Sequence, residues 1–129
     1  MKYLIRNFSA WCARYVDQAV DYEKFSYLGL IVTMRDGRRG FFDDTDESFR
    51  WLPDDPNNMT EEEYRREFAY RLKFLMRERI ITQTRLSEMT GIPQQHISRY
   101  CRGDAMPDFY KLNKIARALN CPIDLFRYT

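Results

Sequence analysis

Four side chains able to hydrogen-bond to flat, polar partners lie close together between residues 93 and 102. They are Gln94, Gln95, Ser98 and Arg99. A glutamine amide can pair with both N6 and N7 of adenine, and an arginine guanidinium with O6 and N7 of guanine. On a helix that buries Ile97 and Tyr100, all four face outward. The pattern predicts a surface that reads base edges, and the alternative is an ordinary solvated helix face.

Helix start and stop signals bracket this segment on both sides. Thr60 followed by Glu63 forms a capping box. A proline loses nothing at a helix start, and a glycine commonly ends a helix. The further start signals are Thr82, Pro93, Asp108 and Pro122, and the stop signals are Gly91 and Gly103. Together they predict an all-α bundle of five short helices over residues 60–129.

Charge and composition divide the chain into two parts. Residues 1–58 carry 8 Lys/Arg and 10 Asp/Glu, whereas residues 59–129 carry 13 and 9. The stretch LPDDPNN at residues 52–58 interrupts helical and strand periodicity. We therefore predict a module at 1–52, a linker at 53–59 and a basic domain at 60–129. A basic half joined to an acidic half is typical of a polyanion-binding module attached to something else.

The N-terminal module combines a helical stripe with strand-like segments. Apolar residues from Leu4 to Ala19 recur at three-and-four spacing, although residues 1–8 are also compatible with a strand. FSYLGLIVTM (25–34) predicts one strand, RDGRRG a hairpin turn with Gly37 at positive φ, and GFF and SFRWL two more strands. The fold class is therefore α+β: an N-terminal helix and small antiparallel sheet, then the five-helix domain.

The segment from Ile81 to Phe126 resembles the helix-turn-helix of the lambda-repressor-like, xenobiotic-response-element family. The resemblance is carried by Gln83, Leu86, Thr90-Gly91-Ile92, Ile97, Gly103, Pro107 and Ile115 to Leu119. It implies that the third helix enters the major groove and that Gln83 contacts a phosphate at the start of the second helix. Further candidates for phosphate contacts are Arg85, His96, Arg102, Lys111 and Lys114.

Two positions depart from the family pattern. The family usually pairs an arginine in the first helix with a glutamate near the end of the third, and the matching residues here are Met76 and Cys101. Replacing both charges together avoids leaving one buried and unpaired, so we expect Cys101 to have a packing role, with redox sensing as the alternative. The loop after the third helix contains Asp104 where the family is often basic, which should weaken nonspecific DNA binding.

Other chemistry finds little support in the sequence. The acidic run DDTDES (43–48) lacks the central glycine and closing glutamate of a calcium loop and predicts a solvated turn. With one histidine, the chain cannot assemble a histidine metal cluster or a Ser-His-Asp triad. We expect no enzyme activity, cofactor or metal. Three widely spaced cysteines and the lack of a long apolar run predict a cytoplasmic protein outside the membrane.

The leading functional hypothesis is a sequence-specific regulator of transcription, a repressor that binds double-stranded DNA as a homodimer on a pseudo-palindromic site. The alternative is an antitoxin or other inhibitor, as found in mobile elements, whose N-terminal module binds a protein target while the helix-turn-helix regulates its own operon. The aromatic-rich first module could be a packed core or could present an exposed protein-binding patch. The candidate patch residues are Trp11, Phe41, Phe42 and Trp51.

Overall fold

The computed structural model describes residues 19–53 and 55–126. The chain divides between Asp55 and Pro56 into two units. The first contains an antiparallel sheet and the second is helical, so the α+β class predicted from the sequence is confirmed. The predicted N-terminal helix, including Trp11, lies outside the described residues.

The first unit contains a four-stranded meander. Its strands are β1 (Ala19–Ser26), β2 (Gly29–Met34), β3 (Arg39–Asp43) and β4 (Ser48–Trp51), in the order β1-β2-β3-β4. The predicted turn between β2 and β3 is confirmed, with Gly37 at a φ of 91°. The Asp36 carboxylate accepts from the Arg38 backbone N–H at 3.0 Å, which closes the turn.

The first hairpin differs from the prediction. FSYLGLIVTM forms two strands rather than one, because Ser26 pairs with Gly29 across a two-residue turn at Tyr27 and Leu28. Ala19 belongs to β1 and not to a helix. The apolar run reads as continuous in the sequence, since its turn contains a tyrosine and a leucine instead of the usual polar turn residues.

Of the two interpretations of the aromatic residues, a packed core and an exposed patch, the packed core applies to Phe41 and Phe42. Adjacent residues of a strand point to opposite faces, yet both rings are buried, at 0% and 1% exposure. Phe42 packs in a cluster with Leu30, Val32 and Met34. Phe41 makes an edge contact with Phe25, with ring centroids 5.0 Å apart. These phenylalanines are therefore core residues.

Trp51 and the acidic turn have different surroundings from the two phenylalanines. Trp51 is exposed, and the guanidinium of Arg38 lies 4.0 Å from its ring centroid. The prediction of a solvated acidic turn is wrong at Asp43 and Asp44, which are buried. Asp43 accepts from both the backbone N–H and the hydroxyl of Thr45, so at least one buried carboxylate is used to shape the turn.

The described part of the second unit, up to residue 126, contains four α-helices, and the fifth short helix predicted after Pro122 is a 3-10 helix. The α-helices are α1 (Glu61–Arg79), α2 (Gln83–Thr90), α3 (Gln94–Arg102) and α4 (Phe109–Ala118). The 3-10 helix is Ile123–Phe126, and another covers Pro56–Asn58. Three predicted caps are confirmed, since the side chains of Thr60, Thr82 and Asp108 accept from backbone N–H groups in the first turns of α1, α2 and α4.

The core of the second unit holds α2 and α3 in place. The fully buried side chains include Phe68, Leu72, Leu86, Ile97, Ile115 and Leu119. Phe126 of the final 3-10 helix also belongs to this core and packs on Phe68, with ring centroids 5.2 Å apart. Burial of each apolar side chain of this size contributes about 1.5–3 kcal/mol, so the helices carrying the candidate site are held on a tightly packed base.

Candidate nucleic-acid interface

A braced turn sets the angle between α2 and α3. Gly91 ends α2 at a φ of 77°, a left-handed conformation that glycine adopts at low cost. The Thr90 hydroxyl donates to the Leu86 carbonyl at 2.7 Å and accepts from the Ile92 N–H at 3.2 Å. Ser87 donates to the Ile92 carbonyl at 2.5 Å. The turn residues are thus tied to α2 on both sides, which fixes where α3 begins.

The two faces of α3 have opposite character. Ile97, Tyr100 and Cys101 are buried, at 0%, 4% and 4% exposure. Gln94 and Gln95 are exposed in the first turn, which directly follows Pro93 and has no side-chain cap. Arg99 is exposed one turn further along and Ser98 is half-buried. The structure therefore places all four predicted base-reading residues off the buried face, as the sequence pattern indicates.

Comparison with known proteins identifies this arrangement. Residues 72–126 match the family HTH_3, described as helix-turn-helix. This segment is a helix-turn-helix domain of that family. The two helices of the helix-turn-helix pair are α2 and α3. No curated protein matches the chain.

A solved structure supports the same assignment. The chain is similar to the crystal structure of an HTH_3 family transcriptional regulator from Vibrio cholerae, with 25% sequence identity and a TM-score of 0.50. The similarity covers 52% of this chain and 38% of that one. The chain therefore matches well under half the length of the Vibrio protein.

The candidate phosphate-contacting side chains differ in the contacts that they already make. Gln83 is the first residue of α2, beside the capping Thr82, where the backbone N–H groups of the first turn have no intrahelical acceptor. Three of the cationic candidates already contact other side chains. Arg85 lies 3.4 Å from Glu88, and Lys114 lies 4.6 Å from the Tyr110 ring centroid. Arg102 lies 3.0 Å from Asp104. His96 and Lys111 are half-buried.

A short polar chain at the end of α3 was not foreseen from the sequence. Arg102 donates through Nη1 to the Ser98 hydroxyl at 2.8 Å and through Nε to the Asp104 carboxylate at 3.0 Å. The spacing of Ser98 and Arg102, four residues apart on a helix, is a signal for this contact. Because Asp104 offsets the charge of Arg102, this end of the domain is less positive than its arginine content indicates.

Met76 and Cys101 pack together, as expected from the loss of the ion pair. Both are buried, and the Cys101 thiol lies 3.9 Å from the Met76 sulfur. Burial raises the pKa of the Cys101 thiol, against smaller opposing influences of Lys73 and Arg102. A raised pKa lowers the thiolate fraction, and thiolates are the reactive form, so the environment of Cys101 favours packing over redox sensing.

Within residues 19–53 and 55–126, no group of three or more His, Cys, Asp or Glu side chains is arranged to hold a metal ion. None of the helices in that part of the chain is long and apolar enough to cross a membrane.

Proposed function

We propose that this chain is a DNA-binding regulator of transcription that reads the major groove with the start of α3. The observation that carries the proposal is the exposure of Gln94 and Gln95 at the first turn of a helix anchored through Ile97. With its side chains, an α-helix is about 10–12 Å in diameter, which matches the major-groove width of about 12 Å. A glutamine amide pairs in two places with adenine, and Arg99 is suited to guanine.

Backbone contacts would fix the domain on the duplex while carrying no sequence information. We propose that Gln83 contacts one phosphate from the start of α2, because the positive end of the helix dipole favours an anion there. Cationic side chains would add further phosphate contacts. The proposed set is Arg85, His96, Arg102, Lys111 and Lys114.

We further propose that the protein works as a homodimeric repressor. One nine-residue recognition helix presents few base contacts, and Asp104 offsets one nearby cation. A second copy related by two-fold symmetry would double the readout on a pseudo-palindromic site with half-sites about 34 Å apart. The first unit is proposed to mediate this pairing, since Val20 and Tyr22 of β1 are 56% and 59% exposed.

Selection of bound duplexes from a random pool, using the full chain at near-physiological salt, tests the proposed reading. We expect one enriched, symmetric sequence. Gln94→Ala or Gln95→Ala should relax preference at one or two positions, each bidentate pair contributing about 1–3 kcal/mol of discrimination. Asn58→Ala, which truncates an exposed amide outside the recognition helix, serves as the control. Equal weakening on every sequence by the glutamine variants would contradict base reading.

A second candidate function is an antitoxin or inhibitor whose first unit binds a target protein. It is favoured by the exposed aromatic side chains of that unit, Tyr22, Tyr27 and Trp51. Sedimentation of the full chain separates the two candidates. Dimers that dissociate in Tyr22→Asp, but persist when the exposed Tyr64 of α1 is changed to Asp, support the dimeric regulator. A chain that is monomeric throughout leaves the aromatic surface for a heterologous partner.

A further inference from the structure

An open cavity lies between the end of α1 and the start of α2. Its volume is about 430 Å³, within the roughly 300–1,000 Å³ range of small-molecule sites. Its lining includes Met76 and Cys101, the two buried residues whose sulfur atoms lie 3.9 Å apart. Neither residue carries a charge at neutral pH, so this part of the wall is apolar and polarisable. We refer to it as the α1–α2 cavity.

Two cations border the α1–α2 cavity. Lys73 and Arg77 are four residues apart on α1, hence on the same face of that helix, and both are exposed. None of the described residues lining the cavity is acidic. Two neighbouring positive charges at the rim of a concave surface attract an anionic group. The two positive charges therefore favour a ligand with an anionic group.

The short segment between α1 and α2 provides apolar contact area. Ile80 is 90% exposed and Ile81 is half-buried, and both line the cavity. Apolar surface removed from water favours association, so the two isoleucines offer contact area to an apolar ligand. This segment therefore favours a ligand that has an apolar part in addition to its anionic group.

We propose that the α1–α2 cavity binds an amphiphilic organic anion, with its carboxylate near Lys73 and Arg77 and its hydrocarbon body against Ile80, Ile81 and Met76. Gln83, the proposed phosphate contact, also lines the cavity. An anion bound there places negative charge where a DNA phosphate is proposed to bind, so the ligand and DNA compete. This competition rests on the proposed function, whereas the binding of the anion does not.

Decanoate, below its micelle-forming concentration, is the probe for the cavity. It is titrated into the full chain and followed through the amide resonances of Ile80 to Gln83, with decanol as the uncharged comparison. We expect saturable shifts with decanoate and at least tenfold weaker binding in the double variant Lys73→Gln, Arg77→Gln. Arg117→Ala, which removes an exposed cation of α4 outside the cavity, should change the affinity less than twofold. Circular dichroism confirms that each variant is folded.

A second titration measures the affinity of the full chain for duplex DNA with and without saturating decanoate. The proposal predicts weaker DNA binding in its presence, and no such effect in the double variant. Absence of saturable shifts, equal binding of decanol, or decanoate binding that leaves DNA affinity unchanged would each overturn it. If no duplex binds even without decanoate, the proposed function fails and so does the competition, while the first titration alone decides whether the cavity binds the anion.

Discussion

Replacing Asp104 by asparagine should strengthen DNA binding without regard to sequence. The Asp104 carboxylate lies 3.0 Å from Arg102 Nε, and the two side chains are 56% and 58% exposed. An exposed pair of this kind contributes about 0.2–1 kcal/mol to folding, so the fold tolerates its loss. The electrostatic consequence is larger, because Arg102 then no longer faces a carboxylate charge and its own positive charge is available to a phosphate.

The size of this effect follows from counterion release. One additional phosphate contact steepens the slope of log K against log salt by about 0.9, which between 1 M and 0.1 M salt corresponds to roughly eightfold in affinity. Fluorescence anisotropy with an arbitrary duplex at several salt concentrations measures both quantities. No knowledge of the preferred site is needed.

A matched control exists in the first unit. Asp36 lies 2.8 Å from Arg38 Nε with 54% and 50% exposure, so Asp36→Asn removes the same charge from a similar pair. This variant should leave the salt slope unchanged. An Asp104→Asn protein with the same slope and affinity as Asp36→Asn would refute the reasoning, since the gain would then reflect net charge and not a freed Arg102.

Three further predictions concern stability. Ile80 has a φ of 55°, which disfavours a β-branched side chain by roughly 1–2 kcal/mol. Ile80→Asn should therefore raise the free energy of unfolding measured with urea. A decrease would contradict this. Gly91 has a φ of 77°, and an added Cβ would meet no atom within 4 Å, so the cost of Gly91→Ala comes from the backbone conformation alone. Gly91→Ala should therefore lower the melting temperature, and Gly91→Asn should lower it less. Burial raises the pKa of the Cys101 thiol. The contribution of the protonated thiol to the free energy of unfolding is therefore complete below the unfolded-state pKa of about 8.5, and it is lost as the pH rises through the folded-state pKa. Cys101→Ala should therefore flatten the fall in unfolding free energy above that pH, whereas an unchanged slope would show that other groups control it.

Local signals in the sequence were sufficient for the helical unit. Thr60, Thr82 and Asp108 cap helices through contacts with residues three positions away. Such contacts depend on neighbouring residues alone and so are visible in the sequence. The burial of Ile97 and Tyr100 also follows from helical periodicity.

Long-range packing was the part that the sequence left open. Nothing local distinguishes Phe41 and Phe42 from exposed aromatic residues, because their burial depends on strands and other segments distant in sequence. The first hairpin was missed for a related reason, as its turn at Tyr27 and Leu28 lacks glycine and proline. Asp104 was recognised as unusual, but its contact with Arg102 depends on side-chain placement after α3 has ended.

The Met76–Cys101 contact links the stability of the domain to the proposed ligand site. In the lambda-repressor-like family that this segment resembles, an arginine and a glutamate usually occupy these two positions. Such a pair would place two charges and their hydrogen bonds beside the α1–α2 cavity. Two sulfur side chains instead fill part of the space and leave the wall apolar. Because this exchange removes a charge pair without stranding either partner, it costs the fold little. The positive charge around the cavity then comes from Lys73 and Arg77, which are exposed, whereas the buried wall contributes no charge that would compete with them for the proposed anion.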